Sequence, residues 1–291
     1  MTQNKENYKK LNEIEHVFQR PDTYLGNTDN DIKNVYVYDN DSNKIIKKDI
    51  NYNQGFVTIH NEIIYNAIDN ISRSSNTDTP CTEIKLTITD NNMISISNNG
   101  LSIPIEKTND DKWLPSTIFG ELRTGSNFND KESRYTSGRN GFGSKLTNVF
   151  STYFEVEIHD PKNNRIYKQT WKENLSIKEE PIIKEKAVSK GLVRISWIPD
   201  FKYFKIKDCY DDDYIMLLKK LFHDIAGQHP DINIYFNGEK IKYKSFIEYC
   251  ILYDNVISIT DKKIKGEYIF IQDNIINYVL SLLEIIMAYC H

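Results

Sequence analysis

Glu62 and Asn66 stand four residues apart in the row VTIHNEIIYNAIDNIS (57–72). On a helix that spacing stacks two side chains one turn apart on the same face. A carboxylate so placed can take a proton from water. An amide oxygen one turn away can ligate magnesium without bringing a second negative charge near a polyphosphate. Alone, the pair is more simply read as two solvated residues on an exposed helix. A second group is SGRNGFGSKL (137–146), in which Gly138, Gly141 and Gly143 lead into a helix start. Glycines there let backbone N–H groups approach phosphate oxygens beside the positive end of the helix, and Arg139 and Lys145 add charge. The string is neither GxxxxGK[ST] nor a GxGxxG after a strand, which argues against Walker and Rossmann sites. A third group, NNGLSIP (98–104), closes an alternating strand with amides. Asn98 could present both a donor and an acceptor to an adenine edge, and Gly100 could turn the backbone beside the base. The two glycine-containing groups each also read as a simple chain reversal, but the three groups in this order are far rarer than any one.

The elements that must position these residues are partly legible. Residues 7–19 read as a short helix with Leu11, Ile14 and Phe18 at helical spacing, stopped by Pro21, and a polar loop rich in Asp and Asn is expected after it. The 57–72 row reads as a helix with Ile64, Ile68 and Ile71 on one stripe and Glu62, Asn66 and Asn70 on another. His60 in this row reads as a core or surface histidine. Alternating runs at 83–89 and 93–97 make a hairpin, 113–122 a short helix, and 124–134 a polar, lid-like segment. A helix from about Ser144 to Phe150, strands at 151–160, 165–171 and 191–199, a helix at 213–225, and a hairpin turned at Asn237-Gly238 follow, and SFIEYCILY (245–253) reads as a last helix.

Composition sets outer limits. The chain has 291 residues, 39% hydrophobic, 12% aromatic and 27% charged, which fits an ordinary folded protein. A net charge of −4 argues against a broad nucleic-acid-binding face, since phosphate neutralisation needs clustered Lys and Arg. Cys81, Cys209, Cys250 and Cys290 form no CxxC pair and are expected to be buried free thiols. The polar start and the absence of a long uninterrupted apolar run predict an intracellular protein with no membrane partner. The apolar tail at 275–290 is broken by Asn277, Tyr278, Ser281 and Glu284 and reads as a core helix.

The E-x-x-x-N helix, the strand ending in N-x-G, the polar lid and the Gly-rich loop, in that order, resemble the GHKL superfamily. IEHVFQRPDTYLGN (14–27), NEIIYNAIDN (61–70), GSNFND (125–130), SGRNGFGSKLTNVFST (137–152), WIPDF (197–201) and INIYFNGEKI (232–241) are similar to the ATPase region of eukaryotic-type type II DNA topoisomerases. The resemblance runs from about Tyr8 to Tyr253. It implies an α+β Bergerat sandwich with helices on one face of a mixed, mostly antiparallel sheet. It also implies ATP and Mg2+ as cofactors, Glu62 as the general base, Asn66 as the metal ligand and Asn98 on adenine. Ser126 and Asn127 match lid residues near the ribose and phosphates. Asn70 and Gly138, Arg139, Asn140, Gly141, Phe142, Gly143, Ser144 and Lys145 match nucleotide-binding positions, and Tyr8 falls where an N-terminal strap reaches into a partner subunit.

On that resemblance residues 1–254 form the ATP-binding domain with its strap, and 255–291 an incomplete or divergent start of a transducer-like domain. The function implied is the ATPase part of a type II topoisomerase: a homodimer that closes on ATP and acts on double-stranded DNA through the full-length enzyme. Nuclear, cytoplasmic and viral settings stay open. Departures are Leu101 and Ser102 in place of the usual Lys and Gly, Ser137 for a glycine, Phe142 for a tyrosine and Ser144 for an alanine. No Gln-Thr-Lys string occurs, so slow or absent hydrolysis with nucleotide binding retained is expected of these residues alone. The alternatives are a non-catalytic ATP-binding regulatory derivative and, on the E-x-x-x-N-A string only, a histidine kinase.

Overall fold

The computed structural model describes residues 12–122 and 143–253, together with the backbone of two short strands at 259–260 and 270–271. The chain enters as α1 (Glu13–Gln19), whose start is fixed by a capping box between Asn12 and Glu15, and a single turn, α2 (Asp22–Leu25), follows Pro21. The helix expected from residue 7 is therefore described only from Glu13. The stretch expected to be a polar loop is instead a long antiparallel hairpin, β1 (Asn30–Asp39) and β2 (Lys44–Asn53). Asn43, at φ 53, takes the left-handed turn position that its short polar side chain tolerates.

Asn53 then caps α3 (Gln54–Ser74), accepting from the Phe56 N–H at 2.9 Å, while its amide donates to the carbonyls of Thr28 and Phe204. Next come β3 (Glu83–Ile88), β4 (Ile94–Asn99), α4 (Leu114–Gly120), α5 (Gly143–Val149), β5 (Ser151–Asp160) and β6 (Arg165–Lys172). Two short strands, β7 (Ile177–Lys178) and β8 (Ile182–Glu185), precede β9 (Leu192–Pro199), α6 (Asp212–Gln228), β10 (Asn233–Phe236), β11 (Glu239–Ile241) and α7 (Phe246–Cys250). The last helix is shorter than expected because residues 251 and 252 turn away from it.

The main sheet runs β11-β10-β3-β4-β9-β5-β6-β7, with β8 also on β6, and only the β10–β3 pair is parallel. That is the mixed, mostly antiparallel sheet the sequence implied. Alternation along β3, β4 and β5 gives it one apolar face: Ile84 and Leu86, Ile94 and Ile96, and Phe154, Val156 and Ile158 are buried, with Lys85, Thr87 and Glu157 on the other side. The buried face joins α3 and α5 in one core. On α3 the most buried stripe is Ile59, Ile63, Ile64 and Ala67, with Ile68 and Ile71 only partly covered, so the stripe is rotated from the one expected.

His60 is a core residue. It is fully buried, its ring nitrogens meet the Phe56 carbonyl at 2.6 Å and the Tyr210 hydroxyl at 2.9 Å, and burial holds its pKa down at about 3. Cys81 and Cys250 are buried thiols as expected, but Cys209 is exposed, at the end of a polar turn before Tyr210. Cys290, the apolar tail and the domain boundary expected near Asp254 lie outside the described residues. Among the described residues no helix is long and apolar enough to cross a membrane.

Candidate nucleotide site

Glu62 and Asn66 both lie on the half-buried flank of α3, between its core stripe and solvent. Burial raises the Glu62 pKa above the ordinary carboxylate range, and the negative charge of Asp69 adds to the shift. A raised pKa makes a stronger base when the group is ionised. Asn66 donates its amide N–H to the Glu62 backbone carbonyl at 2.6 Å. That bond fixes the amide plane and leaves Asn66 Oδ1 without a hydrogen-bond partner among the described residues. A neutral, oriented, unshared oxygen is the donor a hard divalent cation takes.

The start of α5 faces Glu62 directly. A Cβ at Gly143 would fall closer than 3.0 Å to Glu62 Oε2, so this position admits the carboxylate only because it is glycine. Two buried side chains bolt α5 in place: Thr147 Oγ1 donates to the Ile59 carbonyl of α3 at 2.6 Å, and Asn148 Nδ2 donates to the Phe119 carbonyl of α4 at 3.0 Å. Sequence reading named neither. Their signal was only two polar residues inside a short helix, which would otherwise be expected on its solvent side. Lys145 follows Gly143 by two residues and is buried; loss of hydration lowers its pKa to about 8, against a pull upward from Glu121. Ser144 is half-buried beside it.

The NNG turn is held from three directions. Asn70 is buried on α3 and donates its amide to the carbonyls of Asn99 and Leu101, both at 3.1 Å. Asn99 is spent on structure: its Oδ1 accepts from the Thr82 and Glu83 N–H groups at 2.8 and 2.9 Å, and its amide donates to Thr82 Oγ1. Asn98 lies on the opposite face of β4, the face of Ile94 and Ile96 that α3 covers, and is itself buried. Its amide donates to the Asn99 carbonyl at 3.1 Å, and its Oδ1 accepts no hydrogen bond among the described residues. Gly100 sits at φ +97, where a Cβ would stand 2.7 Å from the Cys81 N and 2.8 Å from its Cα. Gly191 packs against the Gly100 carbonyl so closely that a Cβ there would overlap it, a requirement no local sequence signal announced.

The structure thus sets Gly143, at the start of α5, against Glu62 of α3, with Asn66 bonded to the Glu62 carbonyl; Ser144 and Lys145 follow Gly143 on α5, and Asn70 and Asn98 lie at the β4 end of α3. Tyr8, Ser126, Asn127, Gly138, Arg139, Asn140, Gly141 and Phe142 lie outside the described residues. So does the lid-like segment at 124–134.

Comparison with solved structures decides the lineage. The chain superposes on the ATPase region of Saccharomyces cerevisiae topoisomerase II with a TM-score of 0.83 and 33% identity, over 90% of this chain and 69% of that one. It belongs to the family of type II topoisomerase ATPase regions. The ATPase and transducer domains of DNA topoisomerase II from Balamuthia mandrillaris are a second neighbour, at TM-score 0.80 and 35% identity over 87% of this chain and 65% of that one. DNA topoisomerase 2 of Candida glabrata is 36% identical over 264 residues, 90% of this chain but 18% of that protein, so the chain spans about a fifth of such relatives. No family model matches the chain. Family membership accounts for the three groups occurring in order. It also fits a Bergerat-type α+β sandwich, with α3 as the helix that carries the E-x-x-x-N pair.

Proposed function

We propose that this chain binds Mg2+-ATP between α3, α5 and the β4 end of the sheet, and that it is the ATPase part of a type II DNA topoisomerase. The observation that carries the reading is the contact of Glu62 with Gly143, beside the Asn66 amide that is bonded to the Glu62 backbone carbonyl. There a carboxylate of raised pKa lies against a glycine at a helix start, one turn from an amide oxygen without a partner. The residues fit the metal: Asn66 Oδ1 is the candidate ligand, and the ion when bound would neutralise phosphate charge. Glu62 takes the proton of the attacking water. Lys145, with the helix N-terminus, balances the charge of the phosphates. Asn98 reads the base from the floor of the sheet, and Asn70 acts through the turn it holds rather than by touching ligand.

In the longer protein, nucleotide binding would close a homodimer around a DNA duplex and hydrolysis would reopen it, in whichever compartment holds that DNA. Positions 126, 127 and 138–142 would complete the phosphate and ribose contacts, and Tyr8 would reach the partner's site. Calorimetry with a magnesium-bound non-hydrolysable ATP analogue tests the reading. Saturable binding that Asn66→Ala and Gly143→Val each weaken by at least tenfold supports it. No binding by the unaltered chain, or binding indifferent to both changes, removes it.

A further inference from the structure

The hairpin β1–β2 forms its own two-stranded sheet, and among the described strands β1 pairs only with β2. Its first five residues, Asn30-Asp31-Ile32-Lys33-Asn34, are exposed on both faces, and Ile32 keeps 66% of its surface in water. A strand edge of this kind presents unpaired N–H and C=O groups to any chain that can add to it. The two asparagines are already engaged within the fold, Asn30 donating to the Lys205 carbonyl at 3.0 Å and Asn34 to Asp49 Oδ1 at 2.7 Å. They fix the edge. The three residues between them are not so engaged. Among the described residues the Asp31 side chain has no hydrogen bond or ion pair, and the Lys33 ammonium meets only the face of the Tyr52 ring, 4.5 Å from its centroid.

Read backwards, this segment is its own complement. Laid antiparallel on a second copy about Ile32, it sets Asn30 opposite Asn34, Asp31 opposite Lys33 and Ile32 opposite Ile32. Directly opposed residues share a face, so two Asp–Lys pairs would fall on one side of the joined sheet and the Ile–Ile pair on the other. A two-fold axis through residue 32 repeats every contact, as an isologous interface requires. We infer that the β1 edge is a homotypic contact, joining two copies of this chain through Asp31-Ile32-Lys33 into a four-stranded sheet. The inference does not depend on the nucleotide site. Five residues of strand bury far less than the roughly 1,200 Å² of a standard stable interface, so the contact is weak and favours copies already held near one another.

The test is site-directed cross-linking without nucleotide, in a Cys209→Ser/Cys290→Ser background. Ile32→Cys should form a disulfide dimer at least about tenfold faster than Asp41→Cys, an exposed control at the hairpin tip. Adding Asp31→Lys or Lys33→Asp to the Ile32→Cys chain places like charges opposite one another twice and should slow cross-linking about tenfold. Mixing the two charge-reversed chains restores both pairs and should restore the rate in the mixed dimer. Cross-linking at 32 no faster than at 41 overturns the inference, and so do charge reversals that change nothing or a mixture that fails to recover. Residues 31–33 are exposed on the edge and Asp41 is exposed at the tip, and circular dichroism of each variant checks that the fold is kept.

Discussion

Gly143→Ala separates chemistry from folding at one atom. The added methyl would lie inside 3.0 Å of Glu62 Oε2, and restoring ordinary contact takes a relative shift of about 1 Å. The atom it meets is the end of a flexible side chain, so Glu62 gives way rather than the backbone. A rotamer strain of about 1 kcal/mol is set against a gain of similar size from replacing glycine by alanine in a helix. Stability should therefore change by less than about 1 kcal/mol. Catalysis has no such compensation. A base displaced by about 1 Å costs on the order of 100-fold, or about 2.7 kcal/mol of barrier. The assay is single-turnover hydrolysis of bound ATP with protein in excess, which reads the chemical step however slow it is, beside urea unfolding of the same samples. An unchanged hydrolysis rate would refute the placement of Glu62 against α5. A loss of several kcal/mol of stability would refute the claim that only a side chain moves.

Two further expectations come from the turn and from the buried lysine. Gly100 and Gly238 both have positive φ, +97 and +82, but only Gly100 meets backbone, so Gly238→Ala should cost about 1 kcal/mol and Gly100→Ala about 3 kcal/mol. Thermal unfolding of the pair checks this, and equal losses would contradict it. Lys145 has a folded pKa of about 8, below the usual value of 10.5, so between those values the unfolded chain holds the proton and the folded one does not. Stability of the nucleotide-free protein should rise with pH across that window, while analogue affinity falls above about pH 8 as the charge is lost. Lys145→Met should flatten both trends in a pH series.

What could be read from the sequence follows physical contrast. The α3 row was legible because a helix half in the core must repeat its apolar residues, and the strands at 83–88 and 151–160 because one buried face forces alternation. The β1–β2 hairpin was not, because residues 30–34 are wet on both faces and carry no alternation to find. Its signal lay in the later VYVY segment alone, where Val37 and Tyr38 are buried. At the candidate site, Glu62, Asn66 and Asn98 could be singled out because chemistry restricts residue type and spacing. Thr147, Asn148, Gly191 and the structural role of Asn70 were not found, since each acts on backbone that only the folded chain brings near. β4 turns Asn98 and Asn99 to opposite faces, which leaves Asn99 to hold the turn and Asn98 on the buried side.

Glu62, as proposed, is a base acting on a nucleotide held by other residues. Glu62→Gln keeps the shape and removes the base, and its effects on binding and on hydrolysis can be measured on one sample. Magnesium-ATP affinity should stay within about twofold of the unaltered chain, and single-turnover hydrolysis should fall at least 100-fold. Hydrolysis that survives the change, or affinity lost along with it, would contradict the account.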